Sequence, residues 1–457
     1  GGGHSALTIC HRQIVRARFI PRGRAHCELA GRTAVGSGDT IKWPEPLFRS
    51  ARPQIVRPAA FALAGGASAA YIQFIECIGP PMPQIAIIGS GFAALTTTRA
   101  LRRRGVAAAI TVISPREELH YLPSSIWIPA GLRRAEALKL PLARFFARHR
   151  VRFLKASVTG LDARTRTITT DTGETVTADH IVIASGGQFL KKLPGIEHAF
   201  IPCEGIAAAE AVAARLAALD GGTIAIGMAT NPNEPGAIRG GPMFEYAFIL
   251  DRLLRRQGRR DRFRMVFFSP SARPGQRLGE KAVDAILAEM ARRGIETRLG
   301  HKMMRIEPGR VVTEAGEIEA DLILFQPGMT GPEWLGATDL PLSPGGMVRA
   351  DAFCRVEGCE GVWVAGDSGS YPGPDWLPKQ AHQADLQAKA VAANVAAALK
   401  GHPPAKAFTA ELVCILDGLD KGMLVFRRGR INLTLPALRP LHWLKRAFER
   451  HYLRAYR

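Results

Sequence analysis

The stretch "QIAIIGSGFAALTTTRALRRRG", Gln84 to Gly105, decides the fold. Four apolar residues, Ile85 to Ile88, run into Gly89, then Gly91, small Ala93 and a helix-forming segment. The order is strand, tight turn, helix. Gly89 permits the turn, Gly91 lets the backbone approach a pyrophosphate, and Ala93 lets the helix pack on the strand; Ser90 and Phe92 complete the turn. About twenty residues on, "AITVISP" supplies a second strand that ends at Ser114, where an acidic residue commonly binds a ribose hydroxyl. A glycine pattern alone says little. With a strand before it and a helix and a strand after it, it predicts a dinucleotide-binding unit.

Two later stretches return to the same nucleotide. Residues 151–187 alternate in strand fashion, turn at Asp171-Thr172-Gly173, and close on a buried strand that ends in Ala184, Ser185 and Gly186. "GVWVAGDSG", Gly361 to Gly369, is an apolar strand ending at Gly366 and Asp367, and a helix follows with Pro378 and Lys379 at its start. A carboxylate at a strand end can bind a ribityl hydroxyl, and the helix start aims a positive dipole at the same place.

Between these pieces lies a second unit that breaks the pattern. In "TIAIGMATNPNEPGAIRGGPMFEYAFIL", residues 223–250, a strand reaches Gly227 and a helix begins near Met243. About a dozen residues with Pro232, Pro235 and Gly236 replace the Gly-rich turn, so no row of N–H groups faces a pyrophosphate. The expected fold is α/β with two Rossmann-like dinucleotide-binding domains. Residues 82–190 and 335–400 form the FAD-binding domain, 191–334 a second, NAD-like domain without a usable NAD turn, and 401–457 a basic amphipathic region.

The chain has 457 residues, ample for several domains, and ordinary soluble composition, but a net charge of +21. From Lys421 to Arg457 there are ten basic residues and one acid. In "LRPLHWLKRAFERHYLRAYR" helical spacing puts Leu441, Leu444, Phe448, Tyr452 and Ala455 on one side. Arg446, Arg450, Arg454 and Arg457 fall on the other, while Lys445, Trp443 and Leu453 spoil the pattern. Apolar and aromatic residues opposite arginines describe a helix lying in a membrane interface, with a helix packed on the protein body as the alternative. No recognition motif accompanies the charge, so no nucleic-acid partner is expected. Seven cysteines make no disulfide framework, and no metal site is expected. Residues 1–81, which precede the first methionine, Met82, are expected to be a disordered tail or a segment translated in error. Within them 58–75 mimics a signal peptide, yet no Arg-Arg pair precedes Arg102 to direct export of a folded protein.

From Met82 onward the chain resembles the sulfide:quinone oxidoreductases and the related flavocytochrome c sulfide dehydrogenases, within the FAD-dependent pyridine nucleotide-disulfide oxidoreductases. The matching stretches are "IIGSGFAAL", "HYLPSSIW" with Pro123, "IVIASGG", "GGPMFEYAFILDRLLRRQGRRD", "LSPGGMV", "GVWVAGD", "LPKQAHQ", "CILDGLDKG" and "LKRAFERHYLRAYR". The resemblance implies FAD, a small reductant with sulfide leading, and a quinone. It also implies peripheral attachment to the cytoplasmic face of the cytoplasmic membrane, and it allows a homo-oligomer. It implies a pair of redox cysteines beside the flavin. "FIPCEGIAAAEAV" gives Cys203 as the first, with a following helix expected to lower its pKa; an inert buried cysteine is the alternative. The second should stand just before "PGG", where this chain has Leu342, and Cys354 is the nearest substitute. Lys379 matches the family's flavin-facing lysine, a cation that would stabilise negative charge on the reduced ring. Cys414 reads as a small core residue. A donor other than sulfide, NADH among them, and a non-enzymatic flavoprotein sensor are the alternative functions.

Overall fold

The computed structural model describes residues 82–457 throughout, and of the preceding part only three short paired strands, Ser5–Cys10, Gln13–Arg18 and His26–Cys27. The expected disordered extension and the signal-like stretch at 58–75 lie otherwise outside the described residues. Residues Met82–Arg457 form one compact unit.

That unit is built on two parallel sheets. The first has the order Val362–Val364, His180–Ile183, Gln84–Ile88, Ala109–Ser114, Val151–Lys155. Its inner strands read as largely apolar runs because helices and loops cover both faces; Ile85, Ile87, Val112, Val182 and Val364 are all buried, while the edge strand Val151–Lys155 carries exposed Arg152 and Lys155. Ile183 pairs with both Ile88 and Val364, so three strands end level with one another. Gly89, Ala184 and Ala365 therefore open one crevice at the carboxyl ends of the strands, the usual place for a ligand in such a sheet. The segment between Val151 and Ile183 turns back as an antiparallel meander, Val158–Asp162, Thr167–Thr170 and Thr175–Thr177.

The second sheet has the order Glu296–Leu299, Phe263–Ser269, Gly222–Met228, Leu322–Gln326, again parallel. The helix Gly241–Arg256 packs on it through Met243, Phe244, Tyr246, Ala247, Ile249 and Leu250. The same helix buries two acids, Glu245 and Asp251. Asp251 is held by Arg255, Arg260 and Arg293.

Residues after 401 are more than an amphipathic tail. Glu411–Asp417, Gly422–Arg428 and Ile431–Leu438 form an antiparallel sheet, and the helix Arg439–Leu453 follows. The helix buries a face rotated from the expected apolar one, sharing only Leu441 and Tyr452 with it. His442, Lys445, Glu449 and Leu453 turn inward, while Leu444 and Phe448 are about half exposed (51% and 52%) and Trp443 is 62% exposed. Partners cause this rotation. Lys445 pairs with Glu245 and donates to the Ile415 carbonyl (3.0 Å). His442 Nδ1 lies 2.6 Å from Asp417, whose other oxygen accepts the Trp127 indole N–H (3.1 Å). Arg133 forks onto Glu449 through two nitrogens at 2.8 Å.

Removing one partner of a buried pair leaves an uncompensated charge. Lys445→Met is therefore expected to cost about 3–5 kcal/mol of unfolding free energy, while adding Glu245→Leu should recover most of that loss. The double variant still leaves the Asp417 N–H, now bonded to Glu245 at 2.8 Å, without its acceptor. Urea midpoints of the two variants, compared with the parent, measure both effects.

Candidate active site

A single cavity of about 1860 Å³ runs along the strand ends of both sheets. Pockets for one small ligand span roughly 300–1,000 Å³, so this one has room for a dinucleotide and a second molecule.

At its first end stands the glycine turn. Gly89 has φ +110°, and a Cβ there would run into the Ala184 carbonyl; its N–H donates to Ile113 O (2.7 Å). Gly91 caps the helix Phe92–Arg103, and nothing lies within 4 Å of where its Cβ would stand. That open backbone at a helix N-terminus suits a pyrophosphate. The third small residue of the Gly-x-Gly-x-x pattern is Ala94, one beyond Ala93, and it is fully buried. Ala93 serves a neighbouring purpose: a Cβ on Gly366 would sit 3.3 Å from it. Ser114 is tied down, with its hydroxyl 2.9 Å from that of Ser90. Pro123 opens a short 3-10 turn, Leu122–Trp127, on the cavity wall. Ser185 and Gly186 join Ser368, whose hydroxyl is 3.3 Å from that of Ser185 and donates to Gly186 O (2.6 Å).

The middle of the cavity is charged. Asp367 lines the cavity and pairs with Arg239 of the second unit, and its carboxylate keeps further acceptor positions for a ribityl hydroxyl. Lys379 lies just before the cap, Gln380, of helix Ala381–Ala398 and donates to the carbonyls of Asp367 (3.2 Å) and Gly369. Burial pushes its pKa down to about 8, with Asp367 and Glu234 pulling the other way.

The cysteines do not form a pair around this point. Cys203 lines the cavity within an apolar cluster of Phe189, Ile201, Ala237, Met329 and Met347. The expected lowering of its pKa does not occur. Burial pushes the thiol up to about 12 against the pull of Arg239, and the helix Ile206–Ala217 begins three residues further on. Cys354 is not beside the nucleotide crevice. It is buried beneath the first sheet with its sulfur 4.0 Å from Gln387 O, where burial raises its pKa, and it does not line the cavity. Leu342 packs in the apolar cluster under the meander and bridges to Val348. Cys414 does line the cavity, 3.8 Å from the position of a Gly241 Cβ.

The loop that replaces the second glycine turn has its own work. Asn231 donates to Met329 O (2.9 Å) and Gly345 O (3.1 Å), and its side-chain oxygen accepts the Asn233 N–H. Glu234 accepts from Ser370 of the first unit (2.8 Å). Its polar groups bridge the two units, and Thr230, Glu234 and Gly236 of the same loop line the cavity. Arg239 and the Glu245–Lys445 pair were missed in the sequence. The available signals were a carboxylate inside the apolar run "FEYAFIL" and a lysine breaking the tail's apolar stripe.

A family model described as pyridine nucleotide-disulphide oxidoreductase matches residues 83–388. A sulfide-quinone reductase of Aquifex aeolicus is 25% identical over 81% of this chain and 90% of its own length. An NADH dehydrogenase-like protein of Mycobacterium tuberculosis is 26% identical over 63% of this chain and 72% of its own. Among solved structures, the sulfide:quinone oxidoreductase of Aquifex aeolicus aligns with a TM-score of 0.75 at 23% identity, covering 82% of this chain and 91% of that one. The family's cofactor is FAD, and the open Gly91 turn and the size of the cleft fit it.

Gly91→Ala should fold normally, since its Cβ meets empty space, yet purify with little FAD; Gly89→Ala should lose both fold stability and FAD, because its φ and the Ala184 carbonyl oppose any side chain. Melting curves and flavin-to-protein absorbance ratios separate the two. Lys379 carries its charge at pH 7 and loses it as pH rises through about 8, where an ordinary lysine keeps it to about 10.5. The reduction potential of the bound FAD, plotted against pH, should therefore change slope near 8 and lose that break in Lys379→Gln.

Proposed function

The chain belongs to the pyridine nucleotide-disulphide oxidoreductase family and is an FAD-dependent oxidoreductase; within that family we propose that it passes two electrons from a small donor to a membrane quinone. The observation that carries this reading is the course of the cavity. It starts at the glycine turn and ends among Val413, Leu433, Leu444 and Phe448 of the C-terminal sheet and helix. Seven of the nine large hydrophobic side chains exposed on the described surface belong to that sheet and helix: Val413, Ile431, Leu433, Leu438, Trp443, Leu444 and Phe448. An apolar rim among basic residues suits an anionic bilayer surface, where a quinone is dissolved. Among the described residues no helix is long and apolar enough to cross a membrane; the attachment in this reading is peripheral, through the apolar rim and the basic residues around it, and the family resemblance puts it on the cytoplasmic face.

FAD in the crevice would be held by Gly89, Gly91, Ser185, Gly186 and Gly366, and it supplies a two-electron carrier. The net reaction takes two electrons and two protons from the donor and turns the quinone into quinol. Glu245, held by Lys445 on the cavity wall near the apolar rim, is a proton relay for that uptake: it takes up and passes on a proton, helped by the burial that raises its pKa even against the lysine.

Sulfide leads as donor through the family resemblance, with Cys203 as the thiol on the cavity wall. A second reading, another small reductant, is favoured by Leu342 at the expected second-cysteine position and by Cys354 lying away from the cavity. NADH fits poorly, because the loop 229–240 spends its polar groups on bridging the two units.

Anaerobic mixing of residues 82–457 with sulfide and, separately, with NADH tests the reading by the bleaching of flavin absorbance. Bleaching by sulfide and reoxidation by a quinone analogue are expected, and Cys203→Ala should slow the bleaching roughly tenfold or more. If sulfide leaves the flavin oxidised while dithionite-reduced protein still passes electrons to the quinone, the second reading replaces the first. Rapid bleaching by NADH would overturn both.

A further inference from the structure

We infer that Arg277 anchors the acid group of a small oxyanion-bearing molecule, the electron donor, on the second-sheet side of the cavity. The inference rests on the second reading above, a small reductant other than sulfide, and names that reductant's class. Arg277 lies in the short turn Gln276–Leu278 after the second strand of that sheet. Its backbone is fixed: Arg427 donates to its carbonyl at 2.7 Å, and the Leu278 N–H closes the turn on Gly275 O at 2.8 Å. Its guanidinium reaches the loop that replaces the glycine turn. A Cβ at Gly236 would stand 3.1 Å from Arg277 Nη2, so this glycine leaves the room that the guanidinium occupies.

The other cations of this region have uses. Arg239 pairs with Asp367, and Arg273 pairs with Glu280 and Asp284. Lys379 donates to two carbonyls. Arg277 has none: among the described residues no carboxylate lies within ion-pair distance and no group accepts a hydrogen bond from its guanidinium. Asp375 and Glu234 act on it only from further off, and Glu234 is already bonded to Ser370. Burial pushes its pKa down to about 10, with Asp375 and Glu234 pulling the other way. Arg427, likewise without a carboxylate, lies beside it with its guanidinium 5.0 Å from the Trp376 ring. The free guanidinium of Arg277, with Arg427 and an indole beside it on the wall of one cavity, fits a small molecule with an anionic head and a less polar body.

The head is an oxyanion because a guanidinium fork matches two oxygens of a carboxylate or sulfonate. Hydrosulfide offers no such pair of acceptors. A dinucleotide is disfavoured because Pro242 removes an N–H from the start of helix Gly241–Arg256. The acid group serves as a handle, and the atoms that lose electrons lie elsewhere on the molecule.

Three non-reducing probes, benzoate, oxalate and sulfate, would be titrated into the FAD-loaded full chain, following the flavin difference spectrum and the melting temperature. At least one should bind saturably, Arg277→Gln should weaken that binding tenfold or more, and Arg277→Lys should fall between. Reoxidation of dithionite-reduced Arg277→Gln by a quinone analogue should match the parent, which also shows that the variant folds. Binding of none of the three probes to the parent, or equal binding by Arg277→Gln, overturns the inference. So does flavin bleaching by NADPH that depends on Arg277, which would assign the guanidinium to a nucleotide phosphate. Failure of the parent's reduced flavin to reoxidise with quinone would instead sink the reading of the preceding subsection, and the titrations would judge the anion site by themselves.

Discussion

The buried ion pair between Glu245 and Lys445 sets the shape of the cavity and its exit. Burying two charges is costly and is repaid only where hydrogen bonds complete the pair. Here they do: Glu245 also accepts the Asp417 N–H, and Lys445 also donates to Ile415 O. Because these bonds reach both the C-terminal sheet and its helix, the helix can bury only the face that carries Lys445. His442 on Asp417 and Glu449 on Arg133 fall on that face and reinforce it. Leu444 and Phe448 are left outside, on the rim of the cavity. The exposed apolar surface is thus a consequence of where the charges are buried.

The same logic links the two sheets. Arg239, from the loop ahead of helix Gly241–Arg256, reaches Asp367 at the strand end of the first sheet, and Glu234 reaches Ser370. Contacts of this kind fix the distance between the two strand-end crevices and so define one continuous cavity. They also use the groups that would otherwise have met solvent or a second nucleotide. Lys379 sits at the junction, held by two carbonyls, with its charge made labile by burial.

Much of the fold is legible in the sequence because its signals are local. The run Ile85–Ile88 before Gly89, the strand ends at Ala184 and Gly366, and the meander turn at Gly173 all follow from residues within a few positions of one another. What escaped was long-range pairing. Lys445 looked like a flaw in an amphipathic stripe because its partner lies two hundred residues away. The tail's strands carry a weak local signal, because neither Glu411–Asp417 nor Gly422–Arg428 alternates strictly between buried and exposed residues. Cys203 was placed beside a helix start, but its environment is set by Phe189, Met329 and Met347, which come from three distant segments. A cysteine's reactivity depends on such neighbours more than on its place in the chain.

A dinucleotide-binding unit without its glycine turn is then no contradiction. The parallel sheet and the helix that follows its first strand supply a rigid wall, and a wall is needed whether or not a nucleotide lies against it. Once the loop no longer has to present N–H groups to a pyrophosphate, it can grow, carry Asn231 across to Gly345, and place Gly236 where a guanidinium needs space. Pro242 fits the start of that helix because the first N–H groups of a helix have no partner within it. The side chains along that wall, Arg239, Arg277 and Cys203, line the same cavity as the glycine turn of the first sheet.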